Sequence, residues 1–377
     1  MKIEPFLMER WQSTHEHSVE INLSDSGVHP MTPREFVPNE SELAALLDTR
    51  LIYTQTNGTV ELRERIAALY PGASLDELCV VNGGAEANFL AAWSFVAPGD
   101  EVVFMIPNYM QVNGIARSLG AKIIPWALRP DHESQRWVAD IDELVELVTP
   151  RTKLIAICNP NNPTGARLDD TTLDRICRIA ERNGTWILAD EIYQGSDLDG
   201  EETPSMWDRT ERIVITNSLS KAYGLPGLRL GWALGPAAVI EGFWARHDYT
   251  TIGPGALSDA MATLALEPDN RRRILSRTNA LLTSNYDTVS RWLGEMDNVR
   301  HIRPQAGAML YLNYSHEINS TKLAERMCTE QNVLLVPGDH FGMDRWLRIG
   351  FGGETAHIEE GLRRLSQVLA TIDAAPV

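Results

Sequence analysis

Cysteine is scarce in this chain: Cys79, Cys158, Cys177 and Cys328 are the only four in 377 residues, widely spaced and with no Cys-x-x-Cys pair. That excludes a disulfide scaffold or a zinc frame. Three of the four lie in apolar strand- or helix-like segments, so reduced, buried thiols in a cytoplasmic protein are expected. His15-Glu16-His17 is the only close histidine pair, and no neighbouring residue completes a metal site; no metal is expected. Positive charge is also in short supply. Against 51 acidic residues stand 34 Lys and Arg, a net charge of −17, which excludes general binding to a nucleic-acid backbone. The densest basic run, Arg271-Arg272-Arg273, reads as a solvated helix face. No apolar run approaches the roughly 18–20 residues that span a bilayer. The start, Met1-Lys2-Ile3-Glu4-Pro5-Phe6, lacks the apolar stretch of a secretory signal. Repeats, low-complexity tracts and Gly/Ser linkers are missing as well.

What is present is a regular alternation of helix and strand from about Tyr53 to Gly235. Helix-like Glu61–Tyr70 precedes strand-like Cys79–Asn82 and helix-like Ala85–Val96. Apolar strands follow at Glu101–Ile106, Leu154–Asn159, Trp186–Ala189 and Ile213–Thr216. Continuous apolar strands between helices predict an α/β fold with a mostly parallel sheet flanked by helices. A long helix near Arg271–Leu293 leads into short strands at Met309–Leu312, Val333–Val336 and Trp346–Gly350. Helices at Thr321–Gln331 and Thr355–Ile372 complete that part. The expected division is a large domain over 51–280, a smaller α/β domain over 281–377, and an N-terminal segment, 1–50, that belongs with the smaller one.

Ligands of open parallel sheets bind beyond the carboxyl ends of the strands, and four such junctions carry chemistry. Gly83-Gly84-Ala85-Glu86 opens a helix whose amides can face a phosphate; an ordinary tight turn, with Glu86 complementing the helix dipole, is the plain alternative. Pro107-Asn108-Tyr109 offers an aromatic ring for stacking, with a packed surface tyrosine as the plain alternative. Asn159-Pro160-Asn161-Asn162-Pro163-Thr164-Gly165 is a loop stiffened by two prolines, able to present the Asn162 amide. Asp190-Glu191-Ile192-Tyr193 offers a carboxylate that can pair with a pyridinium nitrogen and a phenol three residues on, with a helix N-cap as the plain alternative for Asp190. The most informative stretch is Ser218–Arg229, where Lys221 has hydroxyls at minus three and minus one and Arg229 at plus eight. That grouping suits a lysine that forms a Schiff base with pyridoxal phosphate (PLP), with Ser218, Ser220 and Arg229 at the phosphate.

Asn159–Gly165, Asp190–Tyr193 and Ser218–Arg229 together resemble the class I/II aminotransferases, fold-type-I PLP enzymes, over nearly the whole chain. The resemblance implies Lys221 as Schiff-base lysine and proton shuttle, Asp190 on the pyridine nitrogen, and Tyr193 with Asn162 on the ring oxygen. It implies Tyr109 stacked on the ring, with Ser218, Arg229 and the amides of Gly84, Ala85 and Glu86 at the phosphate. Tyr53 resembles the tyrosine that reaches the partner subunit's phosphate, so a homodimer with shared sites is implied. Arg348, in Arg348-Ile349-Gly350-Phe351, resembles the bidentate clamp of the substrate α-carboxylate, and Gly27 sits where the N-terminal segment closes over that group. Alanine at position 85, where many relatives carry a hydroxyl, leaves a backbone contact only.

The reaction expected is transfer of an amino group between an L-amino acid and a 2-oxo acid. A lyase or cyclase acting on a modified amino acid is the alternative, because Ser24–His29 and Lys221–Arg229 are similar to the capreomycidine synthases. His29 is a candidate pocket acid/base beside the plainer reading of a loop histidine. Arg246 could bind a substrate side-chain carboxylate or simply lie on a helix surface. A PLP-binding gene regulator would need a basic domain ahead of Tyr53, where the chain has only about fifty acidic-to-neutral residues.

Overall fold

A computed structural model describes residues 3–373, the last without its side chain. An eight-stranded sheet runs in the order Leu78–Val81, Gly231–Leu234, Ile213–Ser218, Trp186–Asp190, Thr152–Cys158, Glu101–Ile106, Lys122–Asp131, Arg136–Ala139. Five neighbours, from Ile213–Ser218 to Lys122–Asp131, are parallel. Gly231–Leu234 lies antiparallel to both of its neighbours, and Arg136–Ala139 closes the other edge as a hairpin.

The continuous apolar strands are explained by burial on both faces. Side chains alternate across a strand. Val103 and Met105, Ile155 and Ile157, Ile187 and Ala189 enter one core. Val102 and Phe104, Leu154 and Ala156, and Leu188 enter the core on the opposite face.

A smaller core gathers Leu310, Leu312, Leu347, Ile349 and the helix Thr355–Asp373. It covers a four-stranded antiparallel sheet, Val299–His301, Met309–Tyr314, Trp346–Gly350 and Val336–Pro337. The helix Pro268–Leu293 passes from one core to the other, with Ile274 in the large and Leu282 in the small.

Three expectations need correction. Residues 1–50 do not join the smaller unit as a block: Ile21, Leu23 and Val28 enter its core, whereas Met8, Phe36, Val37 and Leu46 pack in the large one. The segment crosses between the units because its apolar residues fall in separate clusters. The strand expected over Val333–Val336 is two short strands. Val333–Leu334 pairs in parallel with Ile21–Asn22, and Val336–Pro337 pairs antiparallel with Trp346–Gly350, so the backbone changes partner at Leu335. The basic run is not merely solvated, since Arg271 donates to Tyr223 (2.9 Å) and Arg273 to the carbonyls of Glu35 (2.9 Å) and Phe36 (2.5 Å).

Candidate active site

The parallel strands end side by side, and a cavity of about 440 Å³ opens there, in the size range of small-molecule sites. Its wall includes Lys221, Asp190, Arg229 and Arg348, brought from four places in the chain.

Asp190 ends the strand Trp186–Asp190. Its carboxylate accepts from Asn88 Nδ2 (2.9 Å) and the Ile192 amide (3.2 Å), and Asn88 Oδ1 accepts in turn from Thr216 (2.8 Å). Burial dominates these bonds and raises its pKa to about 6. Such a carboxylate is under-compensated and suited to a cation. Asn88 and Thr216 escaped the sequence reading, being an ordinary helix residue and an ordinary strand residue until the fold aligns them.

Lys221 lies just beyond the strand Ile213–Ser218, its Nζ 3.7 Å from Asp25 Oδ1. The cavity walls oppose charge on Asp25, but Lys221 and the amides of Gly27 and Ser26 outweigh them and hold its pKa below the usual value. Ser218 is fully buried behind the wall, and its Oγ accepts the Ser220 amide (3.1 Å). Ser220 itself faces the cavity, 3.4 Å from Arg229 Nη1. Arg229 adopts the left-handed region (φ 47°), the kind of backbone strain that a functional position retains.

The helix Gly84–Phe95 aims its N-terminus at the same wall. The Glu86 amide already donates to Gly83 O (3.1 Å), so the amides of Gly84 and Ala85 are the ones without an acceptor among the described residues. The Glu86 carboxylate turns away, accepting from the Asn82 amide (2.6 Å) and Thr251 (2.8 Å), from Thr250, and meeting His247 Nε2 at 3.2 Å. Burial works against its charge, yet these bonds hold its pKa at about 2. Gly83 has φ +93°, and a Cβ there would lie 2.5 Å from Arg229 Nη2. Glycine therefore keeps a cradle open between that guanidinium and the free amides.

Arg348, only 1% exposed, donates to Asn162 Oδ1 (2.9 Å) and Ser24 O (2.5 Å), while its Nε has no partner among the described residues. Asn162 is thus fixed with its NH₂ available to an oxygen. Tyr193 shares a hydrogen bond with Ser26 Oγ (2.8 Å), and Tyr109 donates to Glu9 (2.8 Å). Amine, buried carboxylate, open guanidinium and free amides fit an aldehyde, a pyridinium and a phosphate, the parts of PLP.

Residues 23–29 form a strap linking these groups. Ser24 O meets Arg348, Ser26 meets Tyr193, and the Val28 amide reaches Lys221 O (3.5 Å). Gly27 sits beside it, with its amide on Asp25 Oδ1 (2.8 Å). The strap lies so close to the small sheet that a Cβ on Gly350 would be 1.9 Å from Asp25 O, and one on Gly352 2.1 Å from Gly27 O. Besides Gly27, Ser218 and Glu86, three further candidates lie off the cavity wall. His29 is exposed, its backbone held by Gly352 O (2.6 Å) and Arg277 (3.0 Å). Arg246 lies over the Trp93 ring at 6.0 Å, and Tyr53 is 86% exposed. Sequence reading also missed the helix Leu7–His15, which brings Glu9, Gln12 and Ser13 to the cavity. Its residues mix polar and apolar because two of its faces are in use.

The aminotransferase class I and II family matches residues 19–365. The chain belongs to that family. This aminotransferase is 29% identical over 371 residues to capreomycidine synthase of Streptomyces vinaceus, covering 97% of this chain and 93% of that protein. It is 28% identical to an arginine–pyruvate transaminase of Pseudomonas aeruginosa, covering 90% and 88%. A PLP-dependent aminotransferase from Streptococcus suis superposes with a TM-score of 0.92 at 32% identity over 100% of both chains. Aspartate aminotransferase from Thermus thermophilus, at 24% identity and TM-score 0.89 over 97% of both chains, shares the fold. The fold is thus the fold-type-I architecture expected, and the cofactor of this aminotransferase is PLP. Among the described residues no helix is long and apolar enough to cross a membrane, and no cluster of His, Cys, Asp and Glu could hold a metal.

Proposed function

We propose that this aminotransferase moves an amino group between an L-amino acid and a 2-oxo acid, with Lys221 as the cofactor's covalent anchor and as proton shuttle. The observation that carries this reading is one cavity wall holding Lys221, Asp190, Arg229 and Arg348 together. Bound PLP supplies an aldehyde for the substrate amine and a ring that withdraws electrons from the α-carbon. Arg229 and the amides of Gly84 and Ala85 hold the phosphate, with Ser218 acting through Ser220. Asp190 keeps a proton on the ring nitrogen, and Asn88 with Thr216 fixes the carboxylate's orientation. Asn162 and Tyr193 donate to the ring oxygen while Tyr109 stacks on the ring. Arg348 takes the α-carboxylate with Nε and a terminal nitrogen, and Gly27 in the strap borders that group. The Lys221 amine, released by the substrate amine, takes the α-proton and returns it.

The working unit is a homodimer, with Tyr53 reaching the partner's phosphate. Its support is the exposure of the consecutive large apolar residues Leu51, Ile52 and Tyr53. Four free cysteines support a reducing, cytoplasmic setting. The division into a cofactor-binding unit over 51–280 and a smaller unit over 281–377 is supported by a second core drawn mostly from 281–377, while Tyr311, Val336, Phe341 and Trp346 pack into the large core. A second reading, ring closure or elimination, is favoured by the match to capreomycidine synthase along 97% of the chain. Purified holoenzyme given an amino acid without an acceptor separates the two. One equivalent of 2-oxo acid per site, continuing once a 2-oxo acid acceptor is added, supports transfer. Continuous consumption with no acceptor present supports the second reading.

A further inference from the structure

We infer that the amino acid this enzyme takes carries a cationic side chain, received by Glu9, Glu16 and Asp25; this rests on the amino-transfer reading above. Glu9, Gln12, Ser13 and Glu16 all line the cavity, and at i, i+3, i+4 and i+7 they form one face of the helix Leu7–His15 and its cap. A helix laid on a globular core normally turns an apolar stripe inward. Here Met8 enters the large core and Trp11 Nε1 is tied to Leu335 O (2.9 Å), while the neighbouring stripe, polar and acidic, looks into the cavity. Gln12 fixes that face to the strap by donating to Ser24 O (2.8 Å) and Oγ (3.0 Å).

The charges in the wall are four carboxylates, on Glu9, Glu16, Asp25 and Asp190, and three cations, Lys221, Arg229 and Arg348. With substrate in the loaded site Arg229 is engaged by the phosphate and Arg348 by the α-carboxylate, while Lys221, released from the aldehyde, serves the α-proton beside Asp25. Asp190 meets the ring nitrogen. Glu9, Glu16 and Asp25 are left facing the space beside the substrate. The buried Arg348 with its unpartnered Nε independently marks where the substrate's carboxylate end lies, and both Asp25 and Glu9 act electrostatically on that guanidinium. A substrate held there therefore has its side chain beside an acidic wall. A dicarboxylic amino acid would need a further cation, and none is among the described residues of the wall; Arg246 is occupied over Trp93.

L-Arginine and L-citrulline test this directly, being nearly the same shape but differing in charge. With holoenzyme, Kd by calorimetry is expected to be at least about tenfold lower for arginine. The gap should shrink in Glu16→Gln and in Glu9→Gln, and also as ionic strength rises. The ratio of arginine affinity to L-norvaline affinity should fall in both variants, whatever either change does to binding common to the two amino acids. Equal binding of arginine and citrulline, or tighter binding of L-glutamate, overturns the inference. Tighter arginine binding with no 2-oxo acid formed from any amino acid upholds the inference and overturns the transfer reading instead.

Discussion

Asp190 gives up solvent and receives two hydrogen bonds, from Asn88 and Ile192, which do not offset its burial. A carboxyl raised to about 6 binds a proton more tightly in the folded than in the unfolded chain, so its contribution to stability falls as pH rises from about 4 through about 6. Without PLP, Asp190→Asn should therefore stabilise the protein by up to about 3 kcal/mol at pH 8 and by about half of that at pH 5. Urea unfolding of apoprotein at the two pH values measures the difference. Glu191, raised to about 7 chiefly by burial and also by the Asp190 charge, is relieved in the variant and moves stability in the same direction. The same variant should bind PLP more weakly; unchanged PLP affinity would remove Asp190 from the ring nitrogen. Lys221→Ala should cost at least about 10³-fold in turnover and change the absorbance of the bound cofactor, and persistent turnover would refute its role as shuttle. Arg348→Lys should raise KM for amino acids about tenfold or more with PLP content unchanged, because a lysine cannot make the paired contact. Loss of PLP in that variant would place Arg348 at the cofactor instead.

At the scale of elements, legibility followed burial. Glu101–Ile106 and Trp346–Gly350 lie where the sequence predicts them, because strands buried on both faces read as unbroken apolar runs. Lys122–Asp131 did not announce itself: it carries Pro125 and Pro130 and is only partly buried beside the sheet edge. The helix Leu7–His15 was equally silent, since a helix that serves a core with one face and a cavity with another has no single apolar stripe. Its partner element, the strap over 23–29, can be tested through the glycine that admits it. Gly350→Ala should displace the strap, destabilise the protein by about 1–3 kcal/mol and raise KM. Denaturant unfolding and steady-state kinetics on the one variant check both effects. An unchanged KM in a destabilised protein would detach the strap from substrate binding.

For the whole molecule, much of the candidate site could be read in advance, because its residues follow strand ends in recognisable strings. Lys221, Asp190 and Asn162 stand at such ends, and the fold delivers them to one cavity. What could not be read was contact across distance: Asn88 beneath Asp190, Asp25 beside Lys221, and Ser220 rather than Ser218 at the wall. Association belongs to this scale. Ile52→Asp should convert a dimer to monomers in sedimentation and lower activity in parallel; an active monomer would exclude shared sites. The strap has one more consequence. Because the same few residues touch Arg348 on one unit and Lys221 on the other, they act as a ruler between those two side chains. A single-residue insertion or deletion there would mis-set guanidinium and lysine at once. Lineages bearing this scaffold would then be free to diversify the first helix while the length of the strap stays frozen.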